Sequence, residues 1–216
     1  MRAGDCRVRT RIKICGITRP AYARAAAEAG ADAIGLVFYP PSPRFLSVER
    51  ALEIRDALPP FVQTVALFVN PDAAQVAQVL GRLHPGALQF HGEEAPQFCA
   101  QFGVTWIKAA PVKSGARSVD LLEYLRPFSG AMAWLLDSHV DAYGGVGERF
   151  DWSLVPAVRD KPLILSGGLE RGNVAEAVRR VRPWGVDVSS GVEAAKGIKD
   201  AAKIAAFIAE VRNADV

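Results

Sequence analysis

The sequence has no run approaching the roughly 18 consecutive apolar residues of a membrane-spanning helix. Its first ten residues are polar and lack the apolar segment of a secretory signal. Cysteine is scarce: Cys6, Cys15 and Cys99 are an odd number in no ligand spacing, which argues against a disulfide framework and a zinc knuckle. Charge of one sign is also missing from most of the chain. Arg2, Arg7, Arg9 and Arg11 against Asp5 give residues 1–11 a charge of +3, the whole net charge of the 216 residues. A neutral body behind a short basic leader is not the footprint of a nucleic-acid binder. Half the residues are hydrophobic, enough for one sizeable core. The expectation is a cytoplasmic, water-soluble protein, with residues 1–10 a flexible basic leader and 11–216 one domain.

Short β-branched runs alternate with alanine-rich stretches eight times. The strands are expected at 11–15, 32–37, 62–68, 86–90, 104–109, 131–137, 162–165 and 184–188. They are nearly continuously apolar, as parallel strands covered by helices require. Helices are expected at 20–29, 48–57, 72–83, 94–101, 117–126, 151–158, 172–181 and 200–212. Pro20, Ser47 and Pro71 mark starts, and Gly30 and Gly103 mark stops. At about 27 residues per unit, eight βα units fit a compact (β/α)8 barrel. An open doubly wound sheet would show a glycine fingerprint after its first strand, and CGIT at 15–18 is not one.

In a barrel the chemistry sits where strands end and βα loops begin. Polar and glycine-rich groups gather at those ends, whereas the opposite turns are short and plain. SGG at 166–168 and SSGVE at 189–193 follow the seventh and eighth strands, the recurrent phosphate position, where small residues let backbone N–H groups approach an anion. The alternative is that these glycines only shape tight turns. Cys15 reads either as a small buried hydrophobe or as a reactive thiol. Lys13 shares its parity and Asp187 ends the strand that must neighbour it, so Lys13 is expected to favour the Cys15 thiolate. Asp137 closes the apolar run AMAWLL, where a carboxyl is costly unless paired or used as an acid. A loop-bonding cap is its other reading. Arg44 follows a proline-rich loop that can hold a guanidinium over a carboxylate, or it lies on the surface. His91 has no histidine at metal-ligand spacing, so no metal site is expected, and Lys108 keeps a Schiff-base reading open.

The segments KICGIT (13–18), GLVFYPPSPR (35–44), LFVN (67–70), LQFHGEE (88–94), LLDS (135–138), GGVGERFDW (144–152), LSGGL (165–169) and VDVSSGVE (186–193) together resemble phosphoribosylanthranilate isomerase. They occur in the family's order over about residues 11–216. The resemblance implies a (β/α)8 barrel acting at the third step after chorismate in tryptophan biosynthesis, on the small-molecule substrate phosphoribosylanthranilate. It places the general base on Cys15, the general acid on Asp137 and the substrate-carboxylate arginine on Arg44. The phosphate loops fall on Gly167, Gly168, Ser190 and Gly191, with Lys13, His91 and Asp187 in support. An iminium intermediate is its own electron sink, so no cofactor is expected. One departure is Glu148, followed by Arg149, where relatives often carry Lys or Gln; the neighbouring Gly144, Gly145 and Gly147 would permit hinge motion. A monomer and a homodimer both fit. The rivals are a related sugar-phosphate barrel enzyme and a catalytically silent phosphate-binding barrel.

Overall fold

The computed structural model describes residues 9–112, 117–138, 150–156 and 160–215. Cys6, most of the leader, His139, Gly144, Gly145, Gly147, Glu148 and Arg149 lie outside these residues. Eight parallel strands form a closed barrel in chain order: β1 (Arg11–Cys15), β2 (Ala33–Val37), β3 (Gln63–Phe68), β4 (Ala87–Phe90), β5 (Trp106–Val112), β6 (Ala133–Ser138), β7 (Leu163–Leu165) and β8 (Gly185–Val188). β8 pairs with β1 and closes the ring, Lys13 standing opposite Asp187. The open-sheet alternative is therefore excluded.

The outer layer contains α1 (Pro20–Ala29), α2 (Val48–Arg55), α3 (Ala73–Leu83), α4 (Pro96–Ala100), α5 (Ser118–Leu125), α6 (Val174–Val181) and α7 (Ala201–Ala214). Their starts follow local chemistry. Pro20 fits the first turn of α1, Ser47 accepts from Arg50 N, and Asp72, one residue beyond the expected Pro71 start, accepts from Gln75 N. The helix expected over 151–158 is a single 3-10 turn at Trp152–Leu154, with 157–159 outside the described residues. A short antiparallel ribbon, β9 (Glu193–Ala195) with β10 (Ile198–Lys199), lies between β8 and α7. No helix among the described residues is long and apolar enough to cross a membrane.

Strand parity separates two interiors. Ile12, Ile14, Ile34, Leu36, Phe68, Leu88, Phe90, Trp106 and Leu136 face the helices and join the main core. Ile107, Ala109, Ala133, Leu135 and Ile164 form an apolar floor inside the barrel. On β1–β3 the lumen holds a second apolar cluster of Cys15, Val37, Leu67 and Val69, and Lys13, Gln89 and Asp187 are buried polar groups in the same interior. The leader boundary also shifts: Thr10 is buried and donates to Asp215 through its N–H and hydroxyl, while Arg9 pairs with Asp32.

Candidate active site

Lys13 and Cys15 both point into the lumen from β1, as their shared parity requires. The Lys13 ammonium lies 2.9 Å from Asp187 Oδ1 of β8, and both side chains are buried. Room for the pair is made by Gly35, the register partner of Cys15 on β2. A β-carbon there would lie 2.6 Å from Cys15 Sγ and 3.1 Å from Lys13 Cε. Burial alone would lower the Lys13 pKa, but Asp187 and Cys15 outweigh it and hold it at about 12.

Burial pushes the Cys15 thiol above its ordinary value; Lys13 and Lys199 oppose that rise and Asp187 adds to it. The expectation that Lys13 favours the thiolate is therefore met in sign and corrected in outcome. The ammonium is beside the sulfur, but Asp187 engages it and burial wins, so the thiol is the resting form. Cys99, on the helix side in α4, is also pushed up by burial, to about 12, and stands apart from this cluster.

Asp137 occupies the mouth end of β6 and is about one-quarter exposed. Its Oδ2 lies 3.1 Å from His91 Nε2, and His91 Nδ1 lies 2.9 Å from the Gln89 amide nitrogen. The strand between them, β5, carries Ala109 opposite Leu135 and Pro111 opposite Asp137, and the imidazole reaches across it. His91 is thus held between the Gln89 amide and the Asp137 carboxyl. The loop after β7 presses on the other side of Asp137. Gly167 is left-handed at φ 79°, and a β-carbon on it would lie 2.9 Å from Asp137 Oδ1 and 2.8 Å from Ser138 Oγ.

Gly168 is also left-handed, and its carbonyl accepts from Asn173, the residue that leads into α6. Ser190 and Gly191 form a 3-10 turn after β8, with the Gly191 backbone packed on the Leu169 carbonyl. The two glycine-bearing loops are therefore neighbours, and all four predicted phosphate residues share one side of the mouth.

Arg44 is buried, with Nε and Nη2 each donating at 2.7 Å to Glu193, which fixes the guanidinium plane. Lys199 donates to the same carboxylate at 2.8 Å and to the Ser189 carbonyl at 2.9 Å. Burial would raise the Glu193 carboxyl, but Arg44 and Lys199 together hold it below the usual range. For Lys199 burial prevails, and its pKa is lowered. The surface reading of Arg44 is thus excluded.

Lys108 points the other way. It is buried between barrel and helices, donates to Glu94 Oε2 at 2.7 Å and to the Gly92 carbonyl at 2.5 Å, and lies 5.2 Å from the Phe128 ring centre. A Schiff-base lysine must reach the lumen, so that reading is corrected. Its task is structural: Glu94 also accepts from the Asn70 and Gly92 N–H groups, which pins the loop after His91.

Sequence reasoning did not single out Gln89, Glu193 or Lys199. Gln89 carried a usable signal, an inward polar residue in an otherwise apolar strand. Lys199 carried none, because its position depends on the β9–β10 ribbon.

Residues 12–210 match the family described as N-(5'phosphoribosyl)anthranilate (PRA) isomerase. The N-(5'-phosphoribosyl)anthranilate isomerase of Dechloromonas aromatica (strain RCB) is 53% identical over 209 residues, covering 96% of this chain and 99% of its own. The crystal structure of phosphoribosyl anthranilate isomerase from Thermotoga maritima superposes with a TM-score of 0.86 at 42% identity, over 94% of this chain and 99% of that one. A second structure of such an isomerase, in complex with reduced 1-(o-carboxyphenylamino)-1-deoxyribulose 5-phosphate, gives 0.83 at 40% identity, with the same coverage of 94% and 99%. This chain belongs to the N-(5'-phosphoribosyl)anthranilate isomerase family.

Proposed function

We propose that this protein converts N-(5'-phosphoribosyl)anthranilate into 1-(2-carboxyphenylamino)-1-deoxyribulose 5-phosphate, the isomerisation step of tryptophan biosynthesis, with Asp137 as general acid and Cys15 as general base. The observation that carries the reading is the placement of these two groups. They end β1 and β6, three strands apart around the ring, and both face one mouth. The glycine loops beside Asp137 suit the substrate phosphate. Arg44, held flat by Glu193 next to the Cys15 strand, suits the anthranilate carboxylate.

Asp137 gives its proton to the ribose ring oxygen. The bond from that oxygen to C1 breaks, and the nitrogen lone pair closes an iminium. The base is the minor, deprotonated fraction of Cys15: its thiolate takes the C2 proton, the C–H electrons form C1=C2 and the iminium pair returns to nitrogen. The resulting enolamine loses the proton of its C2 hydroxyl and gains one at C1, giving the ketone. The protons held by Cys15 and released from the hydroxyl replace those given to C1 and by Asp137, so the cycle closes.

The test follows loss of anthranilate-type fluorescence with freshly generated substrate, for wild type, Cys15→Ser and Asp137→Asn. Each variant should fall by about a hundredfold or more while remaining folded. Folded wild type without turnover would leave a phosphate-binding barrel of another kind.

A further inference from the structure

Gln89 is fully buried in the lumen, and its register partners are Leu67 of β3 and Ile107 of β5. A carboxamide offers two donors and one acceptor group. Here its Nε2 meets His91 Nδ1, while its Oε1 is buried without a hydrogen-bond partner among the described residues. An amide left half-satisfied between two aliphatic side chains weakens the fold relative to a leucine in the same place. Such a residue belongs where it acts on something else.

What it touches is the ring that touches the acid. The amide nitrogen presents N–H to Nδ1, so Nδ1 carries the lone pair and the ring proton of a neutral imidazole sits on Nε2. Nε2 in turn faces Asp137 Oδ2 at 3.1 Å. The other carboxyl oxygen, Oδ1, lies on the Gly167 side, at the loop that borders the phosphate position.

We propose that Gln89 is a positioning residue for the general acid: it holds His91 as the Nε2–H tautomer, so that His91 anchors Asp137 Oδ2 and leaves Oδ1 as the oxygen that delivers the proton. The role rests on the isomerase reading, through Asp137. Once the proton has gone, the Nε2–H group donates to the carboxylate that remains. The ring is thus oriented for the charge that develops, without rearranging at the moment of transfer.

The test has one arm that needs no substrate. Long-range 1H–15N spectra of the histidine rings at pH 8, assigned against His91→Gln, should show His91 as a single Nε2–H tautomer in wild type. Gln89→Leu should give a mixture of tautomers. Gln89→Glu, nearly isosteric and able only to accept at that position, should move the proton to Nδ1. In the kinetic arm, kcat of Gln89→Leu should fall about tenfold, a fraction of the ~10²–10⁴ that a positioned acid supplies. KM should stay within about twofold, and the thermal midpoint should hold or rise, because an apolar residue replaces a half-satisfied amide. A wild-type ring protonated on Nδ1 would overturn the proposal. So would a mixed tautomer with unchanged kcat, or losses of kcat and thermal midpoint with the tautomer unchanged. Wild type without turnover would sink the isomerase reading and with it the role of Asp137, whereas the tautomer assignment is decided by the spectra alone.

Discussion

The most direct probe of Cys15 leaves it in place and fills the space beside it. Gly35 needs no unusual backbone; it is glycine because a β-carbon would stand 2.6 Å from Cys15 Sγ, 3.0 Å from Cys15 Cα and 3.1 Å from Lys13 Cε. Non-bonded heavy atoms rest at about 3.5–4.0 Å, so Gly35→Ala must drive the sulfur away by about 1 Å. Part of the clash falls on the backbone of a paired strand, which cannot swing aside as a side-chain tip would. A displacement of about 1 Å at a reacting group costs on the order of a hundredfold in rate. The stability cost of such overpacking is about 1–3 kcal/mol, a few degrees in thermal midpoint. Gly81→Ala in α3 is the control, since no described residue lies within 4 Å of its β-carbon position. That change should leave turnover alone and stabilise the helix by about 0.5–1 kcal/mol. Both variants are assayed by substrate fluorescence and by thermal unfolding. Gly35→Ala with kcat/KM within twofold of wild type would refute the placement of the base at Cys15 Sγ.

Titration of Cys15, followed as the ultraviolet thiolate absorbance that Cys15→Ser lacks, should give a midpoint above the ordinary thiol value of about 8.5. The sign follows from burial: the group is neutral when protonated, so desolvation delays ionisation, and the thiolate appears only as pH rises through that elevated value. A midpoint below the ordinary value would contradict the balance of burial over Lys13. Lys13→Met should raise that midpoint further, because the larger of the two opposing charges is lost. It should also destabilise the fold by about 3–5 kcal/mol by stranding Asp187, and the pair Lys13→Met with Asp187→Leu should recover much of that loss. An equal loss in single and double variants, measured by denaturant unfolding, would show that the ion pair is not the cause. Glu193→Gln should loosen Arg44 and raise KM by about tenfold or more with a smaller change in kcat, since charge-assisted bonds contribute about 1.5–3 kcal/mol. An unchanged KM would remove Arg44 from the proposed carboxylate contact.

The eight strands were legible because parallel, two-sided burial writes nearly unbroken apolar runs, and each begins within two residues of its expected start. Parity then placed Lys13 beside Asp187 and both beside Cys15. It would equally have turned Lys108 away from the lumen, since Ile107 and Ala109 are its inward neighbours; a residue at a strand end was instead read by position alone. Burial of Cys15 could not be weighed, because its closeness to Gly35 is set by the β1–β2 register and its closeness to Asp187 by ring closure. The helix expected over 151–158 illustrates a different limit. Its apolar pattern serves a 3-10 turn capped by Asp151, where Ser153 donates twice to the aspartate and competes with helical continuation. Arg9 and Thr10 looked like leader because arginine and threonine at a terminus carry no signal of the Asp32 and Asp215 carboxylates awaiting them.

The Lys13–Asp187 bond spans 174 positions of sequence, and Thr10 meets Asp215 across 205. The Cys15 thiol leaves the ribosome early, but the groups around it emerge last: Asp187, then Glu193 to seat Arg44, then Lys199. Until β8 closes against β1, Lys13 is a cation at the open edge of an unfinished sheet and Cys15 is an ordinary thiol in contact with water. A nascent chain therefore acquires the buried, ion-paired surroundings of Cys15 in the same event that seals the ring. A truncated chain ending before β8 would lack these surroundings altogether, rather than retain a weakened form of them.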